Sequence, residues 1–351
     1  MINKNIIFSF LLIVFTQSSC LKEKEVILIE GPTPYELEVP SHFPPVEIPI
    51  ENPLTVEGIE LGRHLFWDTR MSGNNTISCA SCHAPQYAFS DNTPFSAGVN
   101  GDLGKRNAMV LQNLAWVDEF LWDGAIHSLE EQILLPVMDS TEMDNTWSNF
   151  LNEIRYDNQY RELFYNAFGT LEPDSILAAK AIAQFLRTMI SGNSKYDKVL
   201  RYEANFTPDE NAGFSSFNSL TGGDCFHCHG GILGTDLSYK NNGLDDFPID
   251  SGRGLVTGLE SDNFKFKVPS IRNIEYSAPY MHDGRFNNLD QVIGFYSTGI
   301  HSNSPNLDPL IEFASQGGVQ LNPTERSQLK AFLLTLSDSA FIHNPKFSNP
   351  F

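Results

Sequence analysis

Apolar residues recur at helical spacing through most of this chain, and the two-residue alternation of a strand is scarce. Leu54 to Phe66 predicts a short helix. Trp147 to Phe168 and Asp174 to Ser191 predict longer amphipathic helices. In the second, Ile176, Ala179, Ile182, Ala183, Leu186 and Ile190 fall on one face. Near the end of the chain, Asn322-Pro323 joins an N-cap residue to a proline at the first helical position, so a helix should run from there through Leu336. The expectation is an all-α protein with little strand.

The start of the chain departs from this pattern. Lys4 precedes an apolar run from Ile6 to Phe15, followed by Thr16-Gln17-Ser18-Ser19-Cys20. The run is too short for a membrane-spanning helix and has the order of a secretory leader. Cys20 follows small residues, as a lipid-carrying cysteine would, so residues 1–20 are expected to be a lipoprotein-type signal peptide. Gln17 stands where such signals prefer an apolar residue, and a plain leader cleaved nearby is the alternative. Residues 21–52, rich in proline, glutamate and valine, should form an extended tether. No other stretch is apolar enough to cross a membrane. The expected location is the periplasm or cell envelope, with the protein held to a membrane through Cys20.

A net charge of −20 argues against nucleic acid as a partner. It would steer a basic partner protein, although it locates no patch.

The chemistry lies in the cysteines. Cys79-Ala80-Ser81-Cys82-His83 and Cys225-Phe226-His227-Cys228-His229 both match Cys-x-x-Cys-His, and they use four of the five cysteines. That spacing attaches haem c: both thiols bond to the porphyrin and the adjacent histidine ligates iron. A four-cysteine zinc site or two disulfides would use the same thiols, but neither accounts for a histidine after both pairs. The chain should therefore fold as two cytochrome c-like haem domains, residues 53–205 and 206–351, each with one covalently bound haem c.

From about Glu57 to Leu336 the chain resembles the bacterial di-haem cytochrome c peroxidase/MauG family. The resemblance is carried by Leu61-Gly62-Arg63-His64-Leu65-Phe66, Ser78 to His83, Arg106-Asn107, Trp122-Asp123-Gly124, Cys225 to His229, and Ala278-Pro279-Tyr280-Met281-His282-Asp283-Gly284. It implies that the His83 haem is the peroxide-binding one. It also implies that Glu142 is the catalytic acid/base, Gln132 orients oxygen species, Pro136 lines the pocket, and Trp122 lies between the haems. Asn107, with the carbonyls of Ser277 and Pro279, would hold Ca²⁺, for which oxygen ligands are suited.

Two departures from the family pattern bear on the sub-class. Sixteen residues after His83, where many members have a second histidine ligand, this chain has Val99. The His83 haem is then expected to be open, unless His42 or His127 closes it. Fourteen residues after His282, where the electron-accepting peroxidases have methionine, stands Tyr296. The resemblance to MauG makes Tyr296 the second ligand of the His229 haem, with His301 or Met281 as alternatives. Two smaller departures are Ala125 in place of the usual arginine after Trp-Asp-Gly, which should lose a polar contact, and Gly223 in place of a charge-relay tryptophan.

The implied function is reduction of hydrogen peroxide to water with electrons from a small cytochrome c or cupredoxin. The alternative is a MauG-like oxidase that uses peroxide to oxidise a partner protein. A plain electron carrier is a third possibility, one that would be indifferent to Glu142.

Overall fold

Helices dominate residues 31–351, the part of the chain that the computed structural model describes. They are α1 (Val56–Trp67), α2 (Cys79–Cys82), α3 (Leu129–Met138), α4 (Trp147–Ile154), α5 (Asn158–Phe168), α6 (Ser175–Arg187), α7 (Lys195–Leu200), α8 (Pro208–Phe217), α9 (Phe226–His229), α10 (Gly254–Thr257), α11 (Leu289–Thr298), α12 (Pro323–Leu334) and α13 (Ser339–Ile342). Strands β1 (Tyr239–Lys240) and β2 (Phe266–Lys267) form one antiparallel pair, with Tyr239 opposite Lys267. Among the described residues no helix is long and apolar enough to cross a membrane.

Side-chain caps fix where the main helices start. Thr55 accepts from the Gly58 amide at the head of α1. Asn322 accepts from the Thr324 and Glu325 amides, while the Glu325 carboxylate accepts from the Asn322 amide, so α12 starts where the Asn-Pro pair places it. The expected helix from Trp147 to Phe168 is two helices. Asp157 accepts from the Gln159 amide and becomes the N-cap of α5, which ends the run from α4. In α6, Ala179, Ile182, Ala183 and Leu186 are buried as expected, but Ile176 is exposed. Burial extends round much of the helix from Ala178 to Arg187, so no single stripe describes it.

Two main hydrophobic cores result. The first gathers α1 and α3–α6 around Phe66, Phe150, Phe164 and Phe185. The second gathers α8, α11 and α12 around Phe217, Ile293 and Phe332. In each, one glycine lets two helices touch. A methyl on Gly62 would lie 2.0 Å from the Ala181 carbonyl of α6, and one on Gly213 would lie 1.9 Å from the Gln328 carbonyl of α12.

Three findings modify the expected layout. Residues 32–52 do not hang free as a tether. Phe43 is buried against Trp116, and Asn52 is buried between Glu130, Lys180 and Gln184. Proline content stiffens this segment, but a few side chains with partners decide that it lies along the body. The rest of the expected tether, and the expected leader with Cys20, lie outside the described residues. The chain end also returns to the first core: Phe341 and Phe347 pack there, and the Trp67 indole donates to the Phe347 carbonyl at 3.2 Å. Lastly, residues 32–351 cluster as one unit.

Candidate functional site

Both Cys-x-x-Cys-His motifs form one short helical turn. Ser78 caps α2, and His83 ends it with its Nδ1 2.9 Å from the Phe89 carbonyl. Phe89 is presented by a tight turn closed between Ala84 and Ser90. A carbonyl only accepts, so Nδ1 carries the proton and Nε2 is the nitrogen left to bind iron. His229 repeats the arrangement with its Nδ1 3.2 Å from the Gly234 carbonyl. Burial pushes both imidazoles below the ordinary histidine range, toward the neutral form that ligates.

No disulfide joins Cys79, Cys82, Cys225 and Cys228. Burial pushes the Cys79 and Cys225 thiols up to about 12, as apolar surroundings do. Both motifs open into one cavity of about 1370 Å³. That exceeds the roughly 300–1,000 Å³ of a site for one small ligand. The thiols, the free ring nitrogens and this volume fit two haems. Among the described residues no three His, Cys, Asp or Glu side chains gather as a metal site of their own.

The cavity wall brings together Glu142, Gln132, Pro136, Trp122, Asn107, Ser277, Pro279 and Tyr296. Gln132 and Pro136 stand one turn apart on α3, on one face. Pro136 has no N–H, so it cannot bond the Gln132 carbonyl as a helix would. The Gln132 Oε1 is buried with no partner, a group that needs a ligand or water. Glu142 follows in the turn after α3. It is exposed where it borders the cavity, yet the protein around its carboxyl pushes its pKa up by desolvation, with Asp139 adding to the rise.

Val99 has a part that its sequence position did not suggest. Its amide donates to the Glu142 carbonyl at 2.7 Å, so it pins the turn that carries Glu142. Neither histidine considered as a closing ligand lines the cavity. His42 pairs with Asp197 at 2.8 Å, and His127 is 66 % exposed.

Trp122 is buried, and its indole donates to the Asn107 carbonyl at 2.8 Å. The Asn107 amide in turn donates to the His282 carbonyl at 2.7 Å. The His282 ring meets Trp122 edge-on at 6.5 Å and stacks on Phe266 at 3.7 Å. The contact expected to be lost at Ala125 is supplied from elsewhere. Arg253 donates to the carbonyls of Asp123 at 2.9 Å and Gly124 at 3.0 Å, and lies over the Tyr239 ring at 4.1 Å. Arg106 clamps Asp123 and Asp250. Nothing in the local sequence links Arg253 to this turn, because 130 residues separate it from Asp123.

At the second motif, Tyr296 is half-buried and accepts from the Asn242 amide at 3.0 Å. Burial pushes its phenol up to about 12. His301 is 45 % exposed, pairs with Asp246, and is not part of the cavity wall, whereas Met281 is.

An internal repeat relates the two halves at a constant offset of 160 residues. Trp122 corresponds to His282, Gly124 to Gly284, the helix cap Ser128 to Asn288, and Pro136 to Tyr296. The hairpin bridges Phe120–Ile126 and Tyr280–Phe286 obey the same offset. The shared Asp-Gly pair is the sequence signal that would have revealed it.

A helical chain with two haem c attachment motifs around one cavity defines a di-haem c-type protein. The family model for the di-haem cytochrome c peroxidase (CCP_MauG) matches residues 56–205. The cytochrome-c peroxidase IdrP1 of Pseudomonas sp. (strain SCT) is 32 % identical over 332 residues, covering 85 % of each chain. The methylamine utilization protein MauG of Methylorubrum extorquens is 35 % identical over 82 % of this chain and 80 % of that protein. A crystal structure of a MauG-like protein associated with microbial copper homeostasis superposes with a TM-score of 0.83 at 33 % identity, covering 90 % of this chain and 99 % of that one. The chain belongs to the di-haem cytochrome c peroxidase/MauG family, whose members carry two haems.

Proposed function

We propose that this protein is a di-haem peroxidase that reduces hydrogen peroxide to water at the His83 site, with electrons entering from a small redox protein. The observation that carries this reading is Glu142, a carboxyl of raised pKa in the wall of the cavity that His83 opens into. The haems, when bound, supply the redox chemistry. The chain's own residues do the rest. Glu142 takes a proton from one peroxide oxygen and returns it to the other. Gln132 orients the oxygen species with its side-chain amide. Phe89 and Gly234 hold the two histidine rings through their Nδ1 atoms. Trp122, in the wall of the shared cavity, shortens the electron path.

Tyr296 in the cavity, with His42 and His127 outside it, favours a second reading: a MauG-like oxidase that passes the oxidising power of peroxide to a partner protein. Peroxide titration of the fully oxidised protein, read by optical and EPR spectroscopy with and without reduced donors, separates the two. Sustained turnover with a reduced cytochrome c or cupredoxin is expected. A long-lived oxidised state with no turnover by any donor would leave the oxidase.

The donor is read as a basic protein with an apolar contact face. Phe247, Ile249 and Leu255 are 89 %, 99 % and 68 % exposed at the rim of the cavity, on a chain of net charge −20. Phe247→Ser/Ile249→Ser, which removes apolar contact without adding charge, should weaken turnover with protein donors and spare turnover with small dyes.

Asn107 donates its amide to the carbonyls of Thr93 and Pro94, which leaves its Oδ1 for a cation. With the carbonyls of Ser277 and Pro279, also in the cavity wall, this supports a Ca²⁺ site. Chelation should perturb the haem spectra and calcium should restore them; unchanged spectra would remove the site. The leader and Cys20 support an envelope protein held by lipid, which the mass of the mature N-terminus tests.

A further inference from the structure

We propose that Met281 is a second ligand for the iron faced by Tyr296, and that Asn242 holds it in reserve. This rests on the reading of Tyr296 as the resident ligand. Asn242, Met281 and Tyr296 meet in the wall of the cavity that His229 also lines. The Asn242 Nδ2 donates to the Tyr296 hydroxyl at 3.0 Å and to the Met281 sulfur at 3.6 Å. Those two distances, taken end to end, keep the sulfur within 6.6 Å of the phenol oxygen. One amide thus occupies a lone pair on each of two atoms able to bind iron.

The internal repeat supplies the control. Met281 sits in its hairpin with φ 77°, and its counterpart Leu121 has φ 69°. The left-handed conformation therefore belongs to the turn and not to the methionine. What differs is the side chain. The first half has Leu121 and Pro136, neither with a donor atom. The second half has Met281 and Tyr296, with sulfur and oxygen at the same two places. Both potential ligands are built into one half only, where they also pack against Leu244, Phe295 and Ile300.

The two donors suit different oxidation states. An anionic phenolate holds oxidised iron, while a neutral thioether raises the potential and favours reduced iron. When a reduced donor protein gives one electron to this iron, the Tyr296 oxygen leaves and takes one proton from solvent. The Met281 sulfur then gives its lone pair in place of the phenolate. The donor would lose one electron and the iron gain one; the bond to the Tyr296 oxygen would give way to one to the Met281 sulfur, and the only bond formed within a side chain would be the O–H of Tyr296.

The test uses the full haem-loaded protein. In oxidised Tyr296→Phe, a thioether-to-iron charge-transfer band is expected, with a higher midpoint potential for that haem. Tyr296→Phe/Met281→Leu should lose the band completely and become high-spin. If Tyr296→Phe shows no such band and adding Met281→Leu changes nothing, the reserve role is overturned. Asn242→Leu, which frees the sulfur without touching either ligand, should give two oxidised signals; a single unchanged phenolate signal would overturn the holding role. The underlying reading is checked separately in the unsubstituted protein by its phenolate vibrations. If these are absent and Tyr296→Phe leaves the spectrum unchanged, it is the Tyr296 assignment that has failed. A thioether band already present there and lost in Met281→Leu would make Met281 the resident ligand and overturn both.

Discussion

Glu142→Gln is expected to slow peroxide turnover by about 10²–10⁴-fold, the usual contribution of a positioned proton-transfer group. The substitution keeps size and shape. It also leaves the backbone bond from Val99 to the Glu142 carbonyl, which fixes the turn, untouched. Haem content and the resting spectrum should therefore match the parent protein, and the loss should fall on the chemical step. The pH profile gives a second reading. Desolvation raises the Glu142 pKa, so the carboxylate that accepts the peroxide proton is lost on acidification earlier than an ordinary glutamate would be. Activity of the parent should fall as pH drops through that raised value. Glu142→Asp should keep an acid limb, and Glu142→Gln should lose it. Equal turnover in Glu142→Gln and parent would remove Glu142 from the mechanism and reopen the electron-carrier reading.

Features held by local rules were legible in the sequence. Cys-x-x-Cys-His is a covalent requirement, so its meaning survives any fold. The start of α12 follows from Asn322-Pro323, because capping is decided within four residues. The expectation that Glu142, Gln132 and Pro136 share one site rests on a family resemblance and not on a property of composition. Tertiary partners were not legible. Residues 32–52 look like a linker until Asn52 finds Glu130 and Gln184, which lie 78 and 132 residues away. Arg253 reaches the Trp-Asp-Gly turn from the other half, and the tail brings Phe347 back to the first core. Ile176 carried the right period but sits at the first turn of its helix, beyond the core that covers the rest.

The repeat gives the two halves a common logic. The same helix position carries Pro136 in one and Tyr296 in the other. In the proposed reading, a residue with no donor atom keeps the peroxide site open, while a phenol closes the electron-entry site. One fold is thus used twice, with the difference in chemistry confined to a few side chains facing the cavity.

Arg272→Met is expected to cost about 3–5 kcal/mol of stability, the range for leaving a buried charge without its partner. Arg272 and Asp197 are 1 % and 0 % exposed and directly paired. The guanidinium also donates to the carbonyls of Ser191 at 3.0 Å and Ile232 at 2.6 Å, and lies 5.0 Å from the centre of the Phe43 ring. Asp197 further accepts from Ser194 and bonds His42 on the N-terminal segment. One buried pair thus ties together residues 42–43, the connection at 191–197 and the second haem module. Burial alone would raise the Asp197 carboxyl, but the charge and hydrogen bond of Arg272, with the hydrogen bonds of His42 and Ser194, outweigh it and hold it below the ordinary carboxylate range. In the parent this stabilises the fold above the unfolded value of about 3.9 and is lost as pH falls through the lowered one. Without Arg272 the sign reverses. The unpaired buried carboxyl should rise above its unfolded value and favour the fold only once protonated. The deficit should therefore be largest at neutrality and shrink as pH falls toward about 4, near the unfolded carboxylate value. Denaturant unfolding of the haem-loaded protein at the two ends of that range measures it. A deficit below about 1 kcal/mol, the scale of an exposed ion pair, or one independent of pH, would show that this pair is not what joins the segments.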